Sequence, residues 1–227
     1  MFTEEWKIIE SILPFLLEGL WTTIKVSLSA IVVGSLLGGV LGTLRSFRLP
    51  VVKHVIGLYL HLFRGSPFLI QLYVFYFVLP ELGVPWLEFG SWTASLVALS
   101  LYTGCYVTEI VNAAILSVPR GQEEAARSLG MSKLRAMRHV VLPQALRLTI
   151  PPMSGVYVII IKSTAILSVV GISELTRQGE VAILRFPSDI LLIYGVVALL
   201  YFAFCYPVLR FTDWAENRVG GVRVNLD

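Results

Sequence analysis

Residues 22–44 read TTIKVSLSAIVVGSLLGGVLGTL, with a single charge at Lys25. A helix rising 1.5 Å per residue crosses the roughly 30 Å hydrocarbon core of a bilayer with about 20 mostly apolar residues. This stretch meets that requirement, and a short amphipathic lead from Ile8 to Leu20 precedes it. Four more stretches qualify, at about 55–79, 92–116, 150–172 and 190–211. Within lipid, every backbone polar group must be satisfied inside a helix or a closed barrel. Barrel strands need about 10 strictly alternating residues, and the sequence has no such alternation. The reading is an all-α polytopic membrane protein with five transmembrane helices, forming a single transmembrane domain over residues 1–227.

Composition agrees. Of 227 residues 56% are hydrophobic and 15% charged, and the mean hydropathy is +0.77. A soluble domain carries about a quarter charged residues. The net charge of +3 gives no reason to expect a nucleic-acid partner. Cys105 and Cys205 fall in apolar stretches without metal or redox spacing, so they are expected to pack between helices. The acidic start Thr3-Glu4-Glu5 does not resemble a signal peptide.

Orientation follows from Lys and Arg in the short connections. Residues 45–54, 117–149 and the tail from Arg210 onward hold twelve, Arg45, Arg48, Lys133 and Arg223 among them. The other side holds Lys7, Arg177 and Arg185. The N-terminus is therefore expected outside and the C-terminus in the cytoplasm. Trp21, Trp86 and Trp92 fall near the outer boundaries, where indoles favour the headgroup region. In the first span, Gly34, Gly38 and Gly42 recur every four residues with Gly39 beside them. That spacing lets helix backbones approach closely, although glycine is also common in membrane helices generally.

The longest connection is 117–149. Ser117 is placed to cap a helix, with Pro119 in its first turn. The run from Gln122 to Leu129 is rich in helix formers, with Glu123 and Glu124 near its positive end. Gly130 suits the left-handed position that closes a helix. Ser132 is placed to cap a second helix, Lys133 to Leu142, which Pro143 is expected to end. Read by itself, the segment serves equally as a solvated hairpin joining two spans.

The pattern Glu124-Ala125-Ala126, Gly130, Val140-x-Leu142-Pro143 resembles the EAA loop of the membrane subunits of bacterial ABC importers. Val140 stands where the family usually has isoleucine. The segments Arg64-Gly65-Ser66-Pro67, Ser117-Val118-Pro119-Arg120-Gly121-Gln122, Leu142-Pro143-Gln144-Ala145 and Pro151-Pro152 are similar to its polar amino acid branch. The likeness covers roughly residues 15 to 215. It implies the type I importer permease fold in a bacterial cytoplasmic (inner) membrane. It implies uptake of a polar amino acid, and docking of the helix around Glu124 on a cytoplasmic ATPase. Gln122, Glu123, Glu124, Ala125, Ala126, Gly130, Leu142 and Pro143 are the coupling candidates. Glu123 and Glu124 would offer carboxylates to basic groups, and the two alanines would permit close approach.

The phosphate-cradling pattern Gly-x-x-x-x-Gly-Lys-Ser/Thr is absent from the sequence. The chain is therefore read as no enzyme and as needing no cofactor, with ATP hydrolysis in a separate subunit. The expected partners are two ATPase subunits, a second copy or a sister permease, an external solute-binding protein and membrane lipid. The outer loops around 80–90 and 173–189 are the expected docking surface, the second offering Glu174, Arg177, Glu180 and Arg185.

Ionisable groups at membrane depth are functional candidates by default. Arg64, Glu109 and Lys162 lie inside spans, and Lys25 near an end should extend outward to the interface. Treating the spans as straight puts Arg64 about 14 Å, Glu109 about 10 Å and Lys162 about 18 Å from the inner edge. Arg64 is thus the better depth match for Glu109. Tyr102, Cys105, Tyr106, Glu109 and Asn112 recur at helical spacing as a polar face. The Arg64-Gly65-Ser66-Pro67 break frees backbone groups, for a zwitterionic substrate or simply for a kink filled by packing. Arg64, Gly65, Ser66, Gln71, Glu109, Lys162, Ser163 and Thr164 are the substrate-pathway candidates. Ser163 stands where many relatives have an acidic residue. The competing class is a proton-coupled secondary transporter of small polar solutes working through Glu109. A non-transporting scaffold is the third.

Overall fold

The computed structural model describes residues 2–47 and 49–219. Arg48 and Arg223, both counted above on the cytoplasmic side, lie outside the described residues. Among those residues there is no strand, and nine α-helices follow one another. They are α1 (Phe2–Ser46), α2 (Pro50–Arg64), α3 (Phe68–Tyr73), α4 (Ser91–Ser117), α5 (Arg120–Ser128), α6 (Lys133–Ala136), α7 (Leu142–Ser163), α8 (Leu175–Arg185) and α9 (Ile190–Val219). Four helical runs are long and apolar enough to cross a membrane, and α2 with the helix after it makes a fifth as a bent pair.

The first span and its lead are one helix. α1 runs 45 residues without a break, with Pro14 inside it. No glycine or proline interrupts Leu20 to Leu28 to separate the two parts. The amphipathic lead buries Ile12 and Leu16 against Leu175 and Ala182 of α8 and Ile193 and Val197 of α9. Further along, α1 packs on α4, the central helix. A Cβ added at Gly34 would stand 2.5 Å from Thr103 Cβ, and one at Gly38 would stand 2.5 Å from Val107 Cβ. At Gly42 it would come within 2.8 Å of the Thr108 carbonyl. Position numbers rise together on both helices, so α1 and α4 run parallel. Gly39 meets nothing within 4 Å, so only three of the four glycines serve the contact.

The second apolar stretch is not straight. α2 and the helix beginning at Phe68 are bent by 106° across Gly65-Ser66-Pro67. Pro67 removes a donor and steers Ser66 away from helical backbone. The second helix then widens into a π-turn at Val74–Val78. α3, α4, α7 and α1 meet in the main core, where Phe68, Leu72, Ala98, Leu99, Val156 and Ile160 are buried. Cys105 packs with Ile56 and Leu60, and Cys205 with Val158 and Ile161; both are free thiols.

Two boundaries differ from expectation. Ser117 does not cap α5: its hydroxyl donates back to the Ala114 carbonyl at 2.8 Å, and Pro119 holds the cap position without a side-chain bond. Pro143 does not end a helix. The chain stays helical from Lys133 to Ser163 through a π-turn at Met137–Val141. The proline ring would collide with the carbonyl four residues back, that of His139. The widened turn contains His139 and absorbs the collision. Past Ser163 a 3-10 turn, Thr164–Val170, closes on Gly171 at φ +84°.

Candidate functional site

Three charged side chains from three helices converge. Arg45, in the last turn of α1, donates through Nη1 to Glu109 Oε1 at 2.5 Å. Arg64, at the end of α2, donates through Nη1 to Glu109 Oε2 at 2.8 Å. One carboxylate thus bridges two guanidiniums, and the group keeps a net charge of +1. Arg64 and Glu109 are the pair that depth matching selects, yet the straight-span distances behind it do not apply across a 106° bend. The pair forms because α2 lies along α4, with Leu60 packed by Cys105 and the Tyr59 hydroxyl donating to the Leu101 carbonyl. Sequence reasoning missed Arg45, assigning it to a loop. The signal was the offset of 66 between Gly34, Gly38, Gly42 and Ser100, Gly104, Thr108, which sets Arg45 level with Val111, about 3 Å of helix rise from Glu109.

Gln71 stitches the break together. Its Nε2 donates to the Phe63 carbonyl at 2.8 Å, and to the Ser66 carbonyl and hydroxyl at 3.0 Å. These partners are what a helix break would otherwise leave unbonded. Gly65 accommodates the turn because a Cβ there would lie 2.6 Å from the His61 carbonyl. Arg64, Gly65, Ser66, Gln71 and Glu109 therefore form one local group. Lys162, Ser163 and Thr164 lie apart at the end of α7. Thr164 is fully buried, with its hydroxyl on the Ile161 carbonyl. Ser163 bonds the Ile159 carbonyl. Lys162 is exposed at the rim of an apolar cavity of about 490 Å³ between α7 and α9.

The polar face of α4 divides. Cys105 is buried against α2, while the hydroxyls of Tyr102 and Tyr106 bond each other at 3.1 Å.

The EAA segment forms a compact helical hairpin. Gly130 adopts φ +84° and its amide bonds the Arg127 carbonyl, while Met131 N–H reaches the Ala126 carbonyl. The Ser132 hydroxyl accepts from Arg135 N–H at 3.4 Å. Glu124 and Ala125 are exposed, and Leu129 is 83% exposed. Ala126 is buried within the chain's own fold, as is Ala136 of α6, so Ala126 is not on the outward face that its neighbour Ala125 presents. Leu142 packs against the cluster of Val111, Ile115, Met137 and Val141, fastening the hairpin to α4. Pro143 is exposed, and Gln144 Nε2 lies 3.5 Å from Gln122 Oε1. A cavity of about 410 Å³ separates the hairpin from the ends of α1 and α4, with Glu123, Glu124, Arg127, Phe47 and Met137 on its walls.

Glu174 is not a docking residue. It is 0% exposed and caps α8, accepting from Thr176 N–H and Arg177 N–H at 2.8 Å and from the Tyr201 hydroxyl at 3.0 Å. Burial pushes its carboxyl above the usual range, and the amide and hydroxyl donors pull the other way. Thr23 of α1 accepts from the adjacent Leu175 N–H.

A bent pair between long apolar helices, with a compact helical hairpin at one end, is the architecture of a polytopic membrane protein. The chain belongs to the family of binding-protein-dependent transport system inner membrane components, which matches residues 30–221. It is a multi-pass inner-membrane permease subunit. Over 211 residues it is 33% identical to the probable amino-acid ABC transporter permease protein PatM of Vibrio harveyi, covering 92% of this chain and 93% of that one. It is 34% identical over 197 residues to the glutamine transport system permease protein GlnP of Escherichia coli, covering 87% and 89%. A solved amino acid ABC transporter with histidines superposes with a TM-score of 0.82 at 31% identity, over 92% of this chain and 96% of that one.

Proposed function

We propose that this chain imports a polar amino acid, driven by two separate ATPase subunits that grip the α5–α6 hairpin. The observation that carries the reading is mechanical. The helix beginning at Lys133 in the hairpin continues without a break to Ser163 beside Lys162. A push on Glu124, Ala125 and Leu129 therefore reaches the interior through one rod and through Leu142. Rigid-body movement of such an element suits alternating access.

In this reading the N-terminus is outside and the C-terminus inside. A second copy or a sister permease completes the pathway, and an external binding protein docks on the α8 side. Arg64, Gly65, Ser66 and Glu109 face the pathway from the broken span, with Gln71 holding the break in shape. Lys162 approaches from α7, with Ser163 and Thr164 setting the end of that helix.

The test is Ala125→Trp, a bulky group on an exposed position, in the chain purified with its natural ATPase. Loss of co-purification and of ATP-dependent uptake, with thermal stability unchanged, is the expected result. Unchanged uptake overturns the proposal. So does uptake that follows the proton gradient without ATP, which would establish the secondary-transporter class.

A further inference from the structure

The parallel register of α1 and α4 locates Lys25. The offset of 66 between the facing glycines and Ser100, Gly104 and Thr108 sets Lys25 level with Ser91, the first residue of α4. Arg45 lies 20 residues further along α1, about 30 Å at 1.5 Å per residue, one hydrocarbon thickness away. Lys25 therefore marks one edge of the apolar layer and Arg45 the other. Lys25 Nζ stands 6.0 Å from the Trp21 ring centroid and 5.7 Å from that of Trp92. It has no carboxylate partner among the described residues. Ile24, Leu28 and Leu96 wall the same groove, which encloses about 490 Å³.

We propose that this groove binds the phosphate headgroup of an anionic membrane phospholipid, with an acyl chain along its apolar wall. The donor set supports that class. An ammonium offers only donors and the Ser29 hydroxyl on the same wall can donate as well, so the polar end of the groove calls for an acceptor-rich anion. The apolar wall calls for hydrocarbon, which a soluble anion lacks. A choline headgroup adds a cation beside Lys25, whereas a phosphatidylglycerol headgroup adds none. The two indoles hold the ammonium by its attraction to their faces, so little side-chain freedom is lost on binding. The bound lipid would span α1 and α4 at the membrane edge.

The experiment uses the full chain in bilayer discs, with Trp6, Trp86 and Trp214 replaced by Phe so that only Trp21 and Trp92 fluoresce. Phosphatidylglycerol brominated near the headgroup is titrated into phosphatidylcholine, and brominated phosphatidylcholine is titrated in parallel. Half-quenching is expected at about fivefold lower mole fraction for the anionic lipid, the preference that one interfacial lysine confers. Lys25→Met, which keeps the apolar stem, should erase the preference, and Lys25→Arg should keep it. Equal quenching by the two lipids overturns the proposal, as does a preference that survives in Lys25→Met.

Discussion

The Tyr201 hydroxyl donates to Glu174 Oε2 at 3.0 Å, tying α9 to the first residue before α8. The same hydroxyl lies 3.0 Å from Thr176 Oγ1. Tyr201→Phe removes one donor from a fully buried carboxylate, and a hydrogen bond to a charged group contributes about 1.5–3 kcal/mol. The expected result is a lower thermal midpoint in detergent. Glu174→Ala should lower it further, because it also removes the cap of α8.

The same carboxyl carries a pH signature. Its value in the folded chain is raised from the ordinary 4.5 by burial. A carboxyl raised on folding stabilises the fold below its unfolded value, and that contribution is lost as pH rises through the folded one. Glu174→Gln does not titrate there. The difference in thermal midpoint between wild type and Glu174→Gln should therefore move in favour of the variant as pH increases above 4.5. A difference that is flat across that interval contradicts the assignment.

The α1–α4 contact predicts a position-specific response to volume. Gly38→Val places its Cβ 2.5 Å from Val107 Cβ, and backbone must shift to make room. Overpacking of this kind costs about 1–3 kcal/mol. Gly39→Ala, one residue along, meets open space. Yield of monodisperse protein and thermal midpoint should fall for the first and hold for the second.

The bridge at Glu109 changes the expected outcome of charge exchange. Swapping Arg64 and Glu109 would restore a two-charge pair in isolation, but the new arginine would face Arg45, which now sits 2.5 Å from that carboxylate. The double variant should therefore recover only part of the uptake lost by either single one. Adding Arg45→Gln should recover more. Each contact is partly exposed, so each contributes about 1 kcal/mol or less to stability. Uptake is therefore the readout to follow, ahead of the thermal midpoint.

At the break, Gln71→Glu exchanges a donor for an acceptor opposite the Phe63 and Ser66 carbonyls. A carboxylate cannot donate to them. The thermal midpoint and uptake should both fall, and Gln71→Asn, a shorter donor, should fall between wild type and Gln71→Glu.

Apolar run length and the residues that interrupt it were the legible part of this fold. The long runs and the Gly65-Pro67 interruption were readable because lipid leaves the backbone few choices. The 106° bend was not, because its angle depends on what α2 packs against. Gly130 and Ser132 announced the hairpin through their local conformational preferences. Pro143 misled, since a widened turn accommodates a ring that an α-helix would reject. Glu174 reads as a surface charge in sequence, and only the meeting of α1, α8 and α9 shows it to be buried. Arg45 was hidden for a related reason: its place at the level of Glu109 follows only from the register of α1 on α4.

The unbroken helix from Lys133 to Ser163 is about 45 Å long at 1.5 Å per residue. It works as a crankshaft. A tilt of about 5° at its hairpin end swings the other by about 4 Å, on the scale of a helix pitch. A small angular movement of the hairpin would thus reposition Lys162 without any local unfolding.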